Sequence, residues 1–154
     1  MANPVVRPTN RFLGSPVQVG AFLYGIVFLI VGIAGFVPGL TLGMGDMKMA
    51  GTGSGATLLG VFQVSVLHNL VHLAYGVVGV LVATRARGSQ RYLVGGGAVY
   101  FLLWIFGIFV VNTGYRGANF VPFNMADNWL HLGLALTMVF FGFLLPRTRF
   151  GAQA

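Results

Sequence analysis

Four long apolar segments alternate with short polar or glycine-rich segments along the chain. At ~1.5 Å per residue, a helix of about 20 apolar residues crosses the ~30 Å hydrocarbon core of a bilayer. The apolar segments therefore predict four transmembrane helices, at about 17–38, 57–83, 92–112 and 125–145. A transmembrane barrel would instead show short segments of alternating polarity. The predicted fold class is an all-α integral membrane protein.

Polar segments flank and connect the predicted membrane domain, which covers 17–146. Residues 1–16 contain three prolines, which favour a cytoplasmic lead with little regular structure. Residues 147–154 are expected to form a short cytoplasmic tail. The predicted connections are a flexible external loop rich in glycine and methionine, a basic cytoplasmic turn and a second external loop, at 39–56, 84–91 and 113–124.

The composition supports a chain that is solvated by lipid. It is 56% hydrophobic and 7% charged, with a mean hydropathy of +0.85, which is too apolar for a surface in water. The absence of cysteine excludes disulfides, iron–sulfur clusters and cysteine nucleophiles. The net charge of +7 comes from arginines that flank the apolar segments and form no dense basic patch, so a nucleic-acid partner is not expected.

Lysine and arginine lie mainly on one side of the four predicted helices. Only Lys48 and Arg116 fall on the side away from the termini. The side of the termini carries Arg7, Arg11, Arg85, Arg87, Arg91, Arg147 and Arg149. Because cytoplasmic loops carry an excess of such residues, both termini are predicted to be cytoplasmic. The two helical hairpins are then parallel repeats related by an axis along the membrane normal.

A polar motif interrupts the second apolar segment and recurs in the fourth. Residues 68–72 read HNLVH and residues 127–131 read DNWLH, so Asn-x-x-His-Leu occurs at 69–73 and again at 128–132. If helices two and four face each other, four potential metal ligands converge, namely His68, His72, Asp127 and His131. Imidazole nitrogen and carboxylate oxygen suit zinc, iron or manganese. This constellation is the candidate metal site.

Four further polar residues lie on the same two segments and are expected to orient the ligands, namely Asn69, Asn128, Ser65 and Tyr75. A second interpretation uses only His72 and His131, as axial ligands of a b-type haem. A third requires no cofactor. In that interpretation Asn124 caps helix four with Asp127 at the third helical position, and the Asn and His side chains hydrogen-bond between helices.

The motifs favour a non-enzymatic protein, because no nucleophile with a base and no glycine-rich phosphate loop accompanies them. The function expected from the sequence is an accessory or stabilising subunit of a membrane assembly. The alternative is a redox or sensor protein that binds a transition metal or haem. The expected partners are the lipid bilayer and a larger membrane complex or further copies of the chain.

The paired motifs, LHNLVHL at 67–73 and ADNWLHL at 126–132, resemble those of a family of small bacterial, largely actinobacterial, four-span membrane proteins that is classed as a domain of unknown function. The resemblance covers about residues 22–145. It implies the same four-helix topology and a location in the bacterial cytoplasmic membrane. It implies no reaction, cofactor or partner.

Overall fold

The structure is a computed structural model, and it describes residues 11–113, 119–148 and 150. Several predictions made from the sequence lie outside these residues. They concern most of the N-terminal lead, the centre of the second external loop with Arg116, and the end of the C-terminal tail with Arg149.

Four α-helices form the body of the protein: α1 (Pro16–Ala34), α2 (Val66–Val82), α3 (Ala86–Thr113) and α4 (Met125–Leu144). Three of them are long and apolar enough to cross a membrane, namely α1, α3 and α4. α2 is also apolar but has only 17 residues. The prediction of a helical protein with long apolar helices is confirmed.

α1 and α2 form an antiparallel hairpin in which the backbones approach closely at glycine. A Cβ atom at Gly25 would lie 2.8 Å from the Val80 nitrogen, and one at Gly32 would lie 3.0 Å from the Asn69 carbonyl oxygen. Such distances leave no room for a side chain. Glycine is therefore required along this interface, as is common where membrane helices pack closely.

α3 and α4 form a second antiparallel hairpin of the same kind. A Cβ atom at Gly97 would lie 2.9 Å from the Ala135 carbonyl oxygen, and the Gln90 side-chain amide donates a hydrogen bond to the Gly142 carbonyl. The two hairpins meet mainly through α1 and α3. Phe28 stacks on Tyr100 there, and both rings belong to the principal hydrophobic core.

Hydrogen bonds join the start of α1 to the ends of α2 and α4 at one end of the bundle. The Gln18 side-chain amide donates hydrogen bonds of 2.7 Å to the carbonyls of Ala83 and Arg11. The Val17 amide donates to the Pro146 carbonyl at 3.2 Å. The described ends of the chain therefore lie at the same end of the bundle as the turn between α2 and α3.

A small antiparallel sheet lies at the other end of the bundle, where the sequence predicted a flexible loop and the start of the second helix. Its strands are β1 (Thr41–Leu42), β2 (Thr57–Leu58) and β3 (Phe62–Gln63), in the order β1-β2-β3. The segment predicted as a flexible loop is thus partly ordered, and Ala56, Leu58 and Val64 form a small core of their own. The segments that connect the strands are also held by hydrogen bonds, since the Ser54 hydroxyl donates to the Val64 carbonyl at 2.6 Å.

The second and third helices begin elsewhere than predicted. α2 starts at Val66 instead of near residue 57, because a tight turn at Leu59 and Gly60, both with positive φ, pairs β2 with β3. α3 starts at Ala86 instead of 92, so most of the basic turn is helical. The Ser89 hydroxyl supports this start by donating to the Val82 and Arg85 carbonyls.

Candidate functional site

A cavity of about 230 Å³ lies between the first hairpin and α4, beneath the small sheet. Helices α1, α2 and α4 and the β2–β3 hairpin all contribute to its wall. Most of the wall is aliphatic or aromatic, and four ionisable side chains interrupt it, namely His68, His72, Asp127 and His131. The four side chains that the sequence predicted as ligands therefore line one cavity.

His68 and His72 project from the first two turns of α2. Their ring centroids are 4.6 Å apart, as expected for residues four positions apart on a helix. His68 is 4% exposed, and its Nδ1 lies 3.2 Å from the Gln63 carbonyl oxygen. If that nitrogen carries the proton, His68 donates to β3 and leaves its other ring nitrogen as an acceptor.

His131 reaches the same region from α4. Its ring centroid lies 6.4 Å from that of His68, and Phe123 packs against both imidazoles in T-shaped geometry. The Nδ1 atoms of His72 and His131 are buried and have no hydrogen-bond partner among the described residues. Buried polar atoms are usually paired, and each unpaired one needs an explanation. Two such atoms belong to residues that line this cavity.

Asp127 is held by the backbone at the start of α4. Its Oδ2 accepts from the Asn124 amide at 3.0 Å and from the Gln63 amide at 3.1 Å, while the Asn124 side chain accepts from the Asp127 amide. This is the capping box that the sequence predicted. Because the Asn124 side chain also donates to the Val61 carbonyl, the cap ties the β2–β3 hairpin to α4.

The two asparagines of the motifs make no hydrogen bond to a histidine among the described residues, so their predicted role in orienting ligands stays a prediction. A Cβ atom at Gly35 would overlap the Asn69 carboxamide, and one at Gly107 would overlap that of Asn128. Each asparagine thus packs against a glycine of the other arm of its hairpin, Gly35 at the C-cap of α1 or Gly107 within α3. Both carboxamides are buried without a hydrogen-bond partner among the described residues, as is the Trp104 indole nitrogen.

Ser65 and Tyr75 contact the helices that surround the cavity. The Ser65 hydroxyl accepts from the His68 amide at 3.2 Å and so caps α2. Tyr75 packs with Phe28, Tyr92 and Tyr100, in the core beyond the cavity. These contacts support the helices that carry the histidines, and the predicted role of the two residues in orienting metal ligands stays a prediction.

Two aromatic residues beside the histidines were missed from the sequence. Phe28 stacks on His72 with centroids 5.7 Å apart, and Tyr100 lies 5.3 Å from His131. A repeated interval in the sequence relates these two residues to each other. Seventy-two positions separate Phe28 from Tyr100, and the same interval separates Gly25 from Gly97 and Gly35 from Gly107.

The sequence model of the family described as a domain of unknown function (DUF4383) matches residues 18–144. The chain belongs to this family. No curated protein and no solved structure matches the sequence. The DUF4383 match spans all four helices and the small sheet, so it includes every residue that lines the cavity.

The cavity of this DUF4383 protein bears on the two cofactor hypotheses. Within the described residues, no group of three or more His, Asp or Glu side chains is arranged to hold a metal ion. The four-ligand site therefore stays a prediction. A haem between His72 and His131 is not favoured by the geometry, because His68 and Phe123 pack against His131 and the cavity is smaller than the ~300–1,000 Å³ of common ligand pockets.

Proposed function

We propose that this DUF4383 protein is a four-span, non-enzymatic membrane protein that binds a small lipid-soluble molecule in the histidine-lined cavity. The molecule has an apolar body and a hydrogen-bonding carbonyl or hydroxyl group, as in a quinone. In this role the protein serves as an accessory subunit that holds the molecule for a larger membrane assembly. The single observation that carries the proposal is an apolar cavity lined by three imidazoles, two of which, His72 and His131, have buried Nδ1 atoms with no hydrogen-bond partner among the described residues.

The proposed topology places both termini in the cytoplasm and treats the hairpins as two parallel repeats. α2 spans about 26 Å at the helical rise and lies antiparallel beside α1. Gly20 lies near Leu93 and Phe28 near Tyr100, so α1 and α3 run in the same direction. The like contacts of Gly35 with Asn69 and of Gly107 with Asn128 support two related hairpins.

The cavity is placed for entry from the lipid. Val27 of α1 and Leu130 of α4 both belong to its wall, and they are 48% and 42% exposed on the outer surface of the bundle. Because both residues line the cavity and are exposed, we place its entrance between α1 and α4. Leu59 of the β2–β3 hairpin covers the cavity from above and is itself exposed.

The imidazoles suit a polar but uncharged group. A neutral imidazole offers one donor and one acceptor, so the ligand can accept from one ring and donate to another. In an apolar cavity such a bond also removes the cost of an unpaired polar atom. An anionic ligand is not favoured, because Asp127 lies in the wall and the described residues that line the cavity include no lysine or arginine.

The ligand is tested with menadione, a two-ring quinone, and with methylnaphthalene, which has a similar apolar body but no carbonyl. We expect menadione to raise the melting temperature of the detergent-solubilised protein. Methylnaphthalene should bind about fivefold more weakly, the factor for one lost hydrogen bond of ~1 kcal/mol. Val27→Trp should block the entrance, whereas Leu136→Trp on the lipid-facing side of α4 is the matched control. Equal binding of both compounds, or unchanged binding by Val27→Trp, would contradict the proposal.

A transition metal is the second candidate, because three imidazoles lie close together. The ring centroid of His68 is 4.6 Å from that of His72 and 6.4 Å from that of His131. Rotation of the side chains would be needed to bring the nitrogens together at about 2.0 Å from one ion. Elemental analysis of the purified protein and of His72→Ala tests it. One equivalent of metal that His72→Ala loses would support this candidate, and equal metal content in the two proteins would reject it.

The topology is tested by labelling introduced cysteines, because the chain has none of its own. Gly45 in the small-sheet region and Arg85 between α2 and α3 are both exposed. A Cβ atom at Gly45 meets no described atom within 4 Å. In intact cells a membrane-impermeant maleimide should label Gly45→Cys and should label Arg85→Cys only after lysis. The reverse result would invert the proposed orientation.

A further inference from the structure

A second groove lies at the opposite end of the bundle, on the outer surface between α3 and α4. It has a volume of about 450 Å³ and is lined by Gln90, Arg91, Val94, Gly95 and Phe143. The two helices are close beneath it, since a Cβ atom at Gly142 would lie 2.6 Å from the Val94 side chain. Gly95 leaves the groove open, because a Cβ atom there meets no described atom within 4 Å.

The groove combines a cationic rim with an apolar floor. Arg91 and Gly95 are four residues apart and share one face of α3, and Phe143 is 70% exposed beside them. Arg87 precedes Arg91 by one helical turn on that face and is also exposed. The two acidic side chains of the chain, Asp46 and Asp127, lie at the other end of the bundle, so no Asp or Glu side chain neutralises the rim.

The position of Arg91 along α3 matches the depth of lipid phosphates. α3 has 28 residues and is about 42 Å long at the helical rise, which exceeds the ~30 Å hydrocarbon core. Roughly 12 Å of the helix is then available outside the core, and we place its first turns, which carry Arg87 and Arg91, in the headgroup layer. Arg91 lies about 8 Å from the start of the helix, and the apolar floor at Val94 and Gly95 continues toward the bilayer centre.

We propose that this groove binds one anionic phospholipid. The phosphate contacts the guanidinium groups of Arg91 and Arg87, and one acyl chain lies over Gly95 beside Phe143. The charge of the rim selects an anionic headgroup, and the missing side chain at Gly95 provides the space for the chain. The site is separate from the histidine-lined cavity and does not depend on what that cavity binds.

Native mass spectrometry of the full chain in detergent tests the proposal, with phosphatidylglycerol and phosphatidylcholine as probes. We expect one phosphatidylglycerol to be retained and phosphatidylcholine to be lost. Arg91→Gln should weaken phosphatidylglycerol binding about fivefold, as expected for one basic residue at a lipid surface. Gly95→Leu should weaken it by a similar factor by filling the groove.

Two control variants make the same kinds of change elsewhere in the protein. Arg85→Gln removes one charge from another face, and Gly133→Leu adds a side chain at an exposed glycine of α4 where a Cβ atom also meets no described atom within 4 Å. Both should bind phosphatidylglycerol as the unmodified protein does. Equal retention of the two lipids, or equal weakening by the control variants, would overturn the site. Equally tight binding of soluble glycerol phosphate would overturn the role of the acyl chain.

Discussion

Phe28 of α1 and Tyr100 of α3 stack with ring centroids 5.5 Å apart and planes inclined by 14°. Each ring also contacts a histidine of its own hairpin, since Phe28 lies against His72 and Tyr100 lies against His131. The stacked pair therefore joins the two hairpins directly behind the histidine-lined cavity. Its loss should loosen both the contact between hairpins and the positions of the imidazoles.

A double-mutant cycle with Phe28→Leu and Tyr100→Leu measures this contact. We expect a coupling free energy of ~0.5–1.5 kcal/mol, the range for aromatic pairs beyond their buried area. The measurement is the free energy of unfolding in mixed micelles as sodium dodecyl sulfate is increased. A second cycle with Phe28→Leu and Phe140→Leu is the control, because Phe140 is exposed and pairs with Phe141. Equal coupling free energies in the two cycles would show that the stacked rings of Phe28 and Tyr100 contribute no specific stabilisation.

The helical body was predictable because it depends on features that are local in sequence. Apolar segments long enough to span a bilayer fix the existence of the helices, and α4 at Met125–Leu144 agrees closely with the predicted 125–145. Its cap was also predictable, since Asn124 and Asp127 have the spacing of a capping box. A helix boundary that carries such a signal can be located from the sequence alone.

Gly107→Ala should lower the free energy of unfolding by ~1–3 kcal/mol, because the new methyl group would overlap the Asn128 carboxamide in a closely packed interface. Gly35→Ala should have a similar effect through Asn69. Gly133→Ala is the control. It adds the same methyl group where a Cβ atom meets no described atom, so stability should be unchanged or slightly raised. A harmless Gly107→Ala would contradict the close packing described here.

The parts that could not be predicted depend on contacts between distant residues. The start of α2 was missed because residues 57–63 are apolar enough to continue a helix, and only the pairing of β2 with β3 shows otherwise. Asn69 packs against Gly35 and Asn128 against Gly107, and no pattern in the sequence predicts these contacts. A polar residue inside an apolar helix indicates contact with protein, but it does not identify the contact.

Asp127→Ala should lower the free energy of unfolding by ~1–3 kcal/mol, because the amides of Asn124 and Gln63 would lose their acceptor. Asp127→Asn keeps a carbonyl oxygen and should cost less. Asp46→Ala is the matched control, since Asp46 is the other acidic residue and is exposed, and the change there should stay within ~0.5 kcal/mol. If Asp127→Ala and Asp46→Ala are equally mild, the carboxylate does not tie β3 to α4.

Ser65 lies between β3 and α2, so its hydroxyl determines where the helix that carries His68 and His72 begins. Ser65→Ala should cost ~1 kcal/mol of stability, whereas Ser65→Gly should cost only a few tenths of that, because glycine is tolerated at an N-cap. Hydrogen exchange gives the more direct measurement. The His68 amide donates to the Ser65 hydroxyl, and its exchange should become faster in Ser65→Ala while amides in the middle of α2 keep their rates. Unchanged exchange at His68 would mean that β2–β3 pairing alone fixes the start of α2. Faster exchange there, together with weaker menadione binding, would show that the cap also positions the imidazoles in the cavity.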